Sequence, residues 1–364
     1  MPKDKKRYKY LDFLKFIGMY MVCFYHFNTL DFNFLHGSLK NYFYYFVKGI
    51  FSVCVALFFM VNGALMLNRE LNLKKHIKKI LRLIIFTYIW GSIQLLVYMF
   101  IKGDVYTIGS FINSLLDWKQ GRINSLWFLH ALTCIYILFP LIKCVYDNKD
   151  KHIIKYVLVS VFLLTFGIVF LNMGINVLQF LKSSTGIQRT FFDIFIDKFN
   201  PYKGFQAYAL VYFIIGGILF NKLENKEINI STLKINIFYS ISLILLFLYG
   251  LIMSFSNKEI YDIVWNGYDT IMTLIMCIGI FIVAFRMEGK LYRFEKIIQL
   301  IGENTLGIYL IHGLVGHALR PLYLSLNAGL IINILLILLL MFICLGIVLI
   351  LKKIPIVKEL FKLG

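Results

Sequence analysis

Ten runs of apolar residues, each close to the thickness of a bilayer core, punctuate this chain and leave it few folds to adopt. A helix rises 1.5 Å per residue, so about 20 apolar residues cross roughly 30 Å of hydrocarbon. Inside lipid every backbone amide and carbonyl must find its partner within the protein, which restricts such runs to helices. They lie near residues 11–29, 46–67, 83–101, 125–143, 153–172, 204–221, 235–254, 268–285, 302–319 and 329–351. Of the 364 residues 60% are hydrophobic and 16% charged, far from the mix of soluble domains. The expectation is an all-α polytopic membrane protein of about ten transmembrane helices, one integral domain over residues 1–364. No Gly/Ser/Pro-rich linker interrupts it, so any function must be built from helices and their connecting loops.

Charge gives the bundle a direction. With the N-terminus inside, segments 1–10, 68–82, 143–155, 221–234, 286–296 and 352–364 are cytoplasmic and hold 26 Lys and Arg. The external segments 30–48, 102–124, 173–203, 255–262 and 320–328 hold 11. That excess is the positive-inside signal, and it predicts that both termini are cytoplasmic. The net charge of +19 therefore faces anionic lipid at the membrane surface, and no nucleic-acid partner is expected. The first span is too long for a cleavable signal peptide and carries charges, so it is expected to stay in the mature protein. The absence of a targeting peptide fits a multi-pass protein of a bacterial plasma membrane. The six cysteines lie in or beside spans with no CxxC spacing, as small apolar residues rather than disulfides or metal ligands.

The first span is unusual because Arg7, Asp12, Lys15 and His26 share it. Ionisable groups are costly in a membrane and point to function or to an interfacial anchor. At about 100° per residue, Lys15 and His26 point within roughly 20° of each other, and Asp12 and His26 within roughly 40°. One face is thus polar at both ends. The fourteen positions from Asp12 to His26 amount to about 21 Å, so the two cannot touch. His26 either packs against a neighbouring carbonyl or acts as a general base, because a neutral imidazole can take a proton near neutral pH.

Four stretches carry a resemblance. They are Arg7-Tyr-Lys-Tyr-Leu-Asp12-Phe-Leu-Lys15-Phe-Ile-Gly18 running on to His26, Phe58-Phe59-Met-Val-Asn62-Gly63-Ala-Leu-Met-Leu67, Ser125-Leu-Trp127-Phe-Leu-His130 running on to Phe139-Pro140, and Asn304-Thr305-Leu-Gly-Ile-Tyr309-Leu-Ile-His312. In this order the chain resembles the acyltransferase-3 family of integral membrane acyltransferases, of the bacterial polysaccharide O-acetyltransferase type. It departs from the family pattern at Lys15, where Arg is commoner, and at Asn62, where the family has Ser. The resemblance implies transfer of an acyl group, usually acetyl, from cytosolic acyl-CoA to a hydroxyl of an envelope glycan or glycolipid. It implies His26 and Asp12 as catalytic residues and Trp127, His130, Asn62, Tyr309 and His312 as substrate-binding residues, with Asn62 one or two turns before the cytoplasmic end of the second span.

Coenzyme A presents phosphates, which call for Lys or Arg on the cytosolic face. The expected loop from Arg69 to Arg82 holds six cations, and Lys79-Ile-Leu-Arg82 stands where the family has an Arg-x-x-Arg pair. Lys79, Arg82, Lys78, Lys15 and Arg7 are the expected donor contacts; the alternative is a plain positive-inside signal. External residues Asp31, Asp104, Asp117, Arg122, Arg189, Asp193, Asp197 and Asp262, with Trp118, Phe191, Phe192, Tyr202, Trp265 and Tyr268, suit either a sugar or an interfacial aromatic belt. No GxSxG, HExxH or P-loop occurs, and His26, His130, His312 and His317 lack the spacing of a zinc site, so no metal is expected. The rival classes are a secondary transporter or flippase, for which no inverted repeat is visible, and a non-enzymatic scaffold. The sequence carries no signal for oligomeric state.

Overall fold

Each of the ten apolar runs overlaps one or two helices in the computed structural model, which describes residues 7–103, 105–116, 126–182, 200–202, 206–326, 328–355 and 358. No strand occurs among the described residues. The helices are α1 (Lys9–Phe27), α2 (Leu39–Ile50), α3 (Cys54–Leu67), α4 (Leu73–Lys102), α5 (Ile108–Leu116), α6 (Trp127–Asp147), α7 (Lys151–Phe162), α8 (Ile168–Leu181), α9 (Tyr208–Glu224), α10 (Thr232–Asn257), α11 (Ile271–Arg286), α12 (Glu295–Ser325) and α13 (Leu330–Leu351). Several starts are capped by side chains: Asn72 accepts the amide of Lys75, Asp150 that of His152, Ser231 that of Lys234 and Thr270 that of Thr273.

Six helical stretches are long and apolar enough to cross a membrane: Leu39–Leu67, Leu73–Phe100, Trp127–Asp147, Lys151–Leu181, Thr232–Asn257 and Leu330–Leu351. The pair Ile271–Arg286 and Lys290–Ser325, bent by 87°, makes a seventh if it is taken as one broken span. The protein is therefore multi-pass and helical. The remaining expected spans fall short for physical reasons. At 17 and 16 residues α9 and α11 are short, and α1 and α12 carry charges within their length.

Three local features differ from expectation. The second span begins at Leu39, because α2 runs through a 3₁₀ turn at Phe51–Val53 into α3. Lys40 and Lys48 lower the hydropathy of that first half and hide it. The fifth runs from Lys151 to Leu181 through a π turn at Leu163–Gly167. The expected external loop 102–124 contains α5, whose Ile108, Ile112 and Leu116 form an exposed apolar stripe at i, i+4 and i+8, the pattern of a helix lying in the membrane interface.

The chain forms two compact units. Unit 1 comprises Met1–Tyr25, Leu30–Asn68 and Asp150–Glu303, and its tightest seam joins α3 to α9. Apolar helices gain little from the hydrophobic effect against one another in lipid, so close packing through small residues must hold them. A Cβ on Gly63 would collide with the Phe213 carbonyl, and one on Gly216 with the Met60 backbone. Within this unit α1 crosses α3 at Gly18, where a Cβ would lie 3.0 Å from the Cys54 carbonyl oxygen. Unit 2 comprises His26–Thr29, Arg69–Lys149 and Asn304–Gly364. There α4 packs on α6, and the Trp90 indole and Gln94 amide of α4 both donate to the Leu310 carbonyl of α12, at 3.0 and 3.1 Å.

Candidate active site

The last turn of α1 and the middle of α12 meet in unit 2 and bring two histidines together. The rings of His26 and His312 are 5.7 Å apart between centroids. His26 is exposed and His312 is buried, at 2% exposure. The Nδ1 of His312 hydrogen-bonds the Tyr309 carbonyl one turn earlier, which as an Nδ1–H donor leaves Nε2 as the basic nitrogen of the neutral ring. The Tyr309 ring stacks on His312 at 5.6 Å, and Phe128 of α6 meets Tyr309 edge-on at 5.5 Å with Trp127 beside it. Phe27 lies against both His312 and His317, at 6.0 and 5.5 Å, and Gly316 leaves the room that its ring needs.

Two other expected substrate-binding residues bond within their own stretch of chain. His130 points its Nδ1 to the Leu126 carbonyl, 3.0 Å away in its own helix, and Asn62 donates to the Phe58 carbonyl at 2.8 Å. No three His, Cys, Asp or Glu side chains gather as metal ligands among the described residues.

At the start of α1, in unit 1, Asp12 is buried and holds two cations: Arg7 Nε at 2.6 Å and Lys15 Nζ at 3.1 Å. Gly302 of α12 makes the space for it, since a Cβ there would press on the Asp12 carboxylate. Arg7 also pairs with Glu303, and Lys9 with Glu295 at 2.8 Å. Glu288 accepts the backbone amides of Lys9 and Tyr10, at 3.0 and 2.6 Å, and so caps the positive end of α1. Glu288 was invisible in the sequence, because capping motifs are local and this partner is 279 positions away.

The cations expected in a loop from Arg69 to Arg82 are helical from Leu73 onward and form the opening turns of α4. No acidic residue offsets them in the first turn, so Lys74 and Lys75 add to the positive end of the helix dipole, and Lys78, Lys79 and Arg82 follow in the next two turns. Lys78 and Arg82 are exposed, while Lys79 lies over the Tyr136 ring at 4.9 Å. His76 is buried beside it, with Nε2 2.7 Å from the Tyr136 carbonyl.

At the far end of α1, still in unit 1, Asp262 accepts the Tyr25 hydroxyl at 2.5 Å and pairs with Lys48 at 3.2 Å. Burial pushes the Asp262 carboxyl up, but Lys48, Tyr25 and the amides of Trp265 and Val264 outweigh it and hold the group below the usual carboxylate range. Sequence reasoning had Asp262 as one external acid among many; Lys48 and Tyr25 gave no signal as its partners. Asp104, Asp117, Trp118, Arg122, Arg189, Phe191, Phe192, Asp193 and Asp197 lie outside the described residues.

Apolar helices of spanning length, with ionisable side chains placed at the ends of α1, describe a multi-pass membrane protein with polar chemistry inside it. The family model of the acyltransferase-3 acyltransferase domain matches residues 8–353, nearly the whole chain. The chain belongs to that family and is a membrane acyltransferase. No curated protein and no solved structure matches it.

Proposed function

We propose that this protein is a membrane-bound O-acetyltransferase of a bacterial plasma membrane, moving acetyl from cytosolic acetyl-CoA to a hydroxyl of an envelope glycan or glycolipid. The observation that carries the proposal is the pairing of His26 with His312, on which Tyr309 stacks, at the opposite end of α1 from Arg7, Asp12 and Lys15. One helix thus joins a cation-rich end to a histidine end about 21 Å away. The charge bias along the chain supports ten crossings with both termini in the cytoplasm.

In this mechanism Lys78, Lys79 and Arg82 at the positive end of α4 meet the donor's phosphates. Lys79 is a single point charge, so its contact lacks the bidentate fork of the arginine usual in the family. Arg7 and Lys15 keep a donor role as cations that Asp12 holds in place, which makes Asp12 a positioning residue. His26 takes the proton of the acceptor hydroxyl as that oxygen attacks the thioester carbonyl, and returns it to the departing thiolate. The products are an ester and free thiol, with no net proton change. His312 lies beside the imidazole, with Tyr309 stacked on it, and Trp127, His130 and Asn62 are substrate contacts by family resemblance.

Inside-out vesicles carrying the wild type or His26→Ala, supplied with acetyl-labelled acetyl-CoA, test this. Label should enter lipid- or glycan-linked product with the wild type and fall by about 10²-fold or more with the variant, whose expression and CoA binding persist. Full activity in His26→Ala would remove the histidine from the chemistry. A wild type that transfers nothing would remove acetyl-CoA as donor and favour a transporter, for which the 87° break between α11 and α12 is the relevant geometry.

A further inference from the structure

The end of unit 1 that carries Tyr25 and Asp262 also holds a cavity of about 370 Å³, within the range of small-molecule sites. It opens among the start of α9, helix α8 and the loop from α10 to α11. Tyr208, Trp265 and Tyr268 supply aromatic walls: Tyr208 and Tyr268 are stacked at 6.3 Å, and Trp265 stands edge-on to Tyr268 at 6.1 Å. Gln206, Asn266 and Asp269 supply polar groups between them.

The loop is fixed in place before anything binds. The Tyr45 hydroxyl donates to the Tyr261 carbonyl at 2.7 Å, and the Tyr212 hydroxyl to the Tyr268 carbonyl at 2.8 Å. Asp262 accepts the amides of Val264 and Trp265, at 3.1 and 3.3 Å, and Thr270 caps α11 directly after the loop. A rigid cavity of this kind loses little entropy on binding.

Its chemistry selects among ligands. Among the described residues that line it none is a cation, and Asp269 adds a negative charge, so these residues offer a phosphate no partner. An acyl tail would strand a carboxylate and two carboxamides. A pyranose ring fits both halves: its C–H faces lie on aromatic rings, and its hydroxyls meet groups that donate and accept.

We propose that this cavity seats one sugar ring of the acceptor glycan, with Trp265 and Tyr268 as platforms and Asp269, Asn266 and Gln206 on the hydroxyls. The proposal rests on the glycan-acetylating function above and gives its acceptor a place. Within the same unit the Tyr25 hydroxyl ties α1 to the loop that lines this cavity, through Asp262.

Saturation-transfer NMR on purified protein in detergent tests it, with methyl glycosides of glucose, galactose, mannose, N-acetylglucosamine and N-acetylmannosamine as probes, up to about 100 mM to capture millimolar affinity. At least one should bind saturably, and Asp269→Ala and Asn266→Ala should each weaken it about tenfold at an unchanged melting temperature, while Trp265→Phe retains it. No saturable binding by a wild type that acetylates glycan in vesicles overturns the cavity and leaves the function standing. Binding untouched by both alanine variants also overturns it. Binding that is lost in the variants, in a protein that transfers no acetyl, upholds the sugar site and overturns the acetyltransferase function.

Discussion

A carboxylate at the end of an apolar bundle needs partners, and Asp262 has a lysine, a tyrosine hydroxyl and two amides. Its folded pKa lies below the ordinary value of about 4, so the ionised group stabilises the fold above that pH, and the contribution is lost as the pH falls through the folded value. Asp262→Asn should lower the melting temperature in detergent by a few degrees at pH 7, about 1 kcal/mol for a partly exposed pair. The gap to the wild type should narrow as the pH falls below the ordinary carboxylate value; a gap independent of pH would mean that the pair does not carry it. At this scale the register of Asp12, Lys15 and His26 along one helix was legible from the 3.6-residue period, with Arg7 two residues ahead of its start. What met that face was not. His312 reaches His26 from 286 positions away, and Glu288, Lys48 and Tyr25 gained their roles from tertiary contacts that no local pattern encodes.

Between helices, glycines decide what can approach. Gly63 sits within the Phe58-to-Leu67 stretch that suggested the family, and its place there is explained by packing on Phe213 rather than by chemistry. Gly63→Ala or Gly216→Ala should each cost about 1–3 kcal/mol or more, since backbone must shift to admit the methyl group. Gly174→Ala, in helix α8 with open space around its Cβ, should be neutral or slightly stabilising. Thermal melting of the three variants in one detergent gives the comparison, and equal losses at all three would refute the packing account. The helices themselves were readable from hydropathy. Helix α5 was not, because nine residues are too few for a spanning signal, and the join of α2 to α3 was masked by Lys40 and Lys48.

For the molecule as a whole, the distribution of cations predicts which loops face which compartment. In a variant lacking its six native cysteines, an impermeant maleimide should label Glu259→Cys in intact cells and Glu227→Cys only after permeabilisation. Both side chains are exposed, in the loops that follow α10 and α9. The opposite pattern would invert the bundle and with it the assignment of donor and acceptor ends. The six stretches that meet the spanning test leave α1, α9 and α12 among the rest, and α1 and α12 carry the polar chemistry. Function and legibility conflict there, because the charges that make a helix useful also weaken the hydropathy by which it is recognised.

The seam between α3 and α9 has a mechanical consequence. Where two helices touch backbone to backbone, no side chain remains to compress or change rotamer, and dispersion falls steeply with small separations. The pair behaves as a rib that resists both sliding and opening. Any rearrangement within unit 1 therefore carries α3 and α9 together as one body.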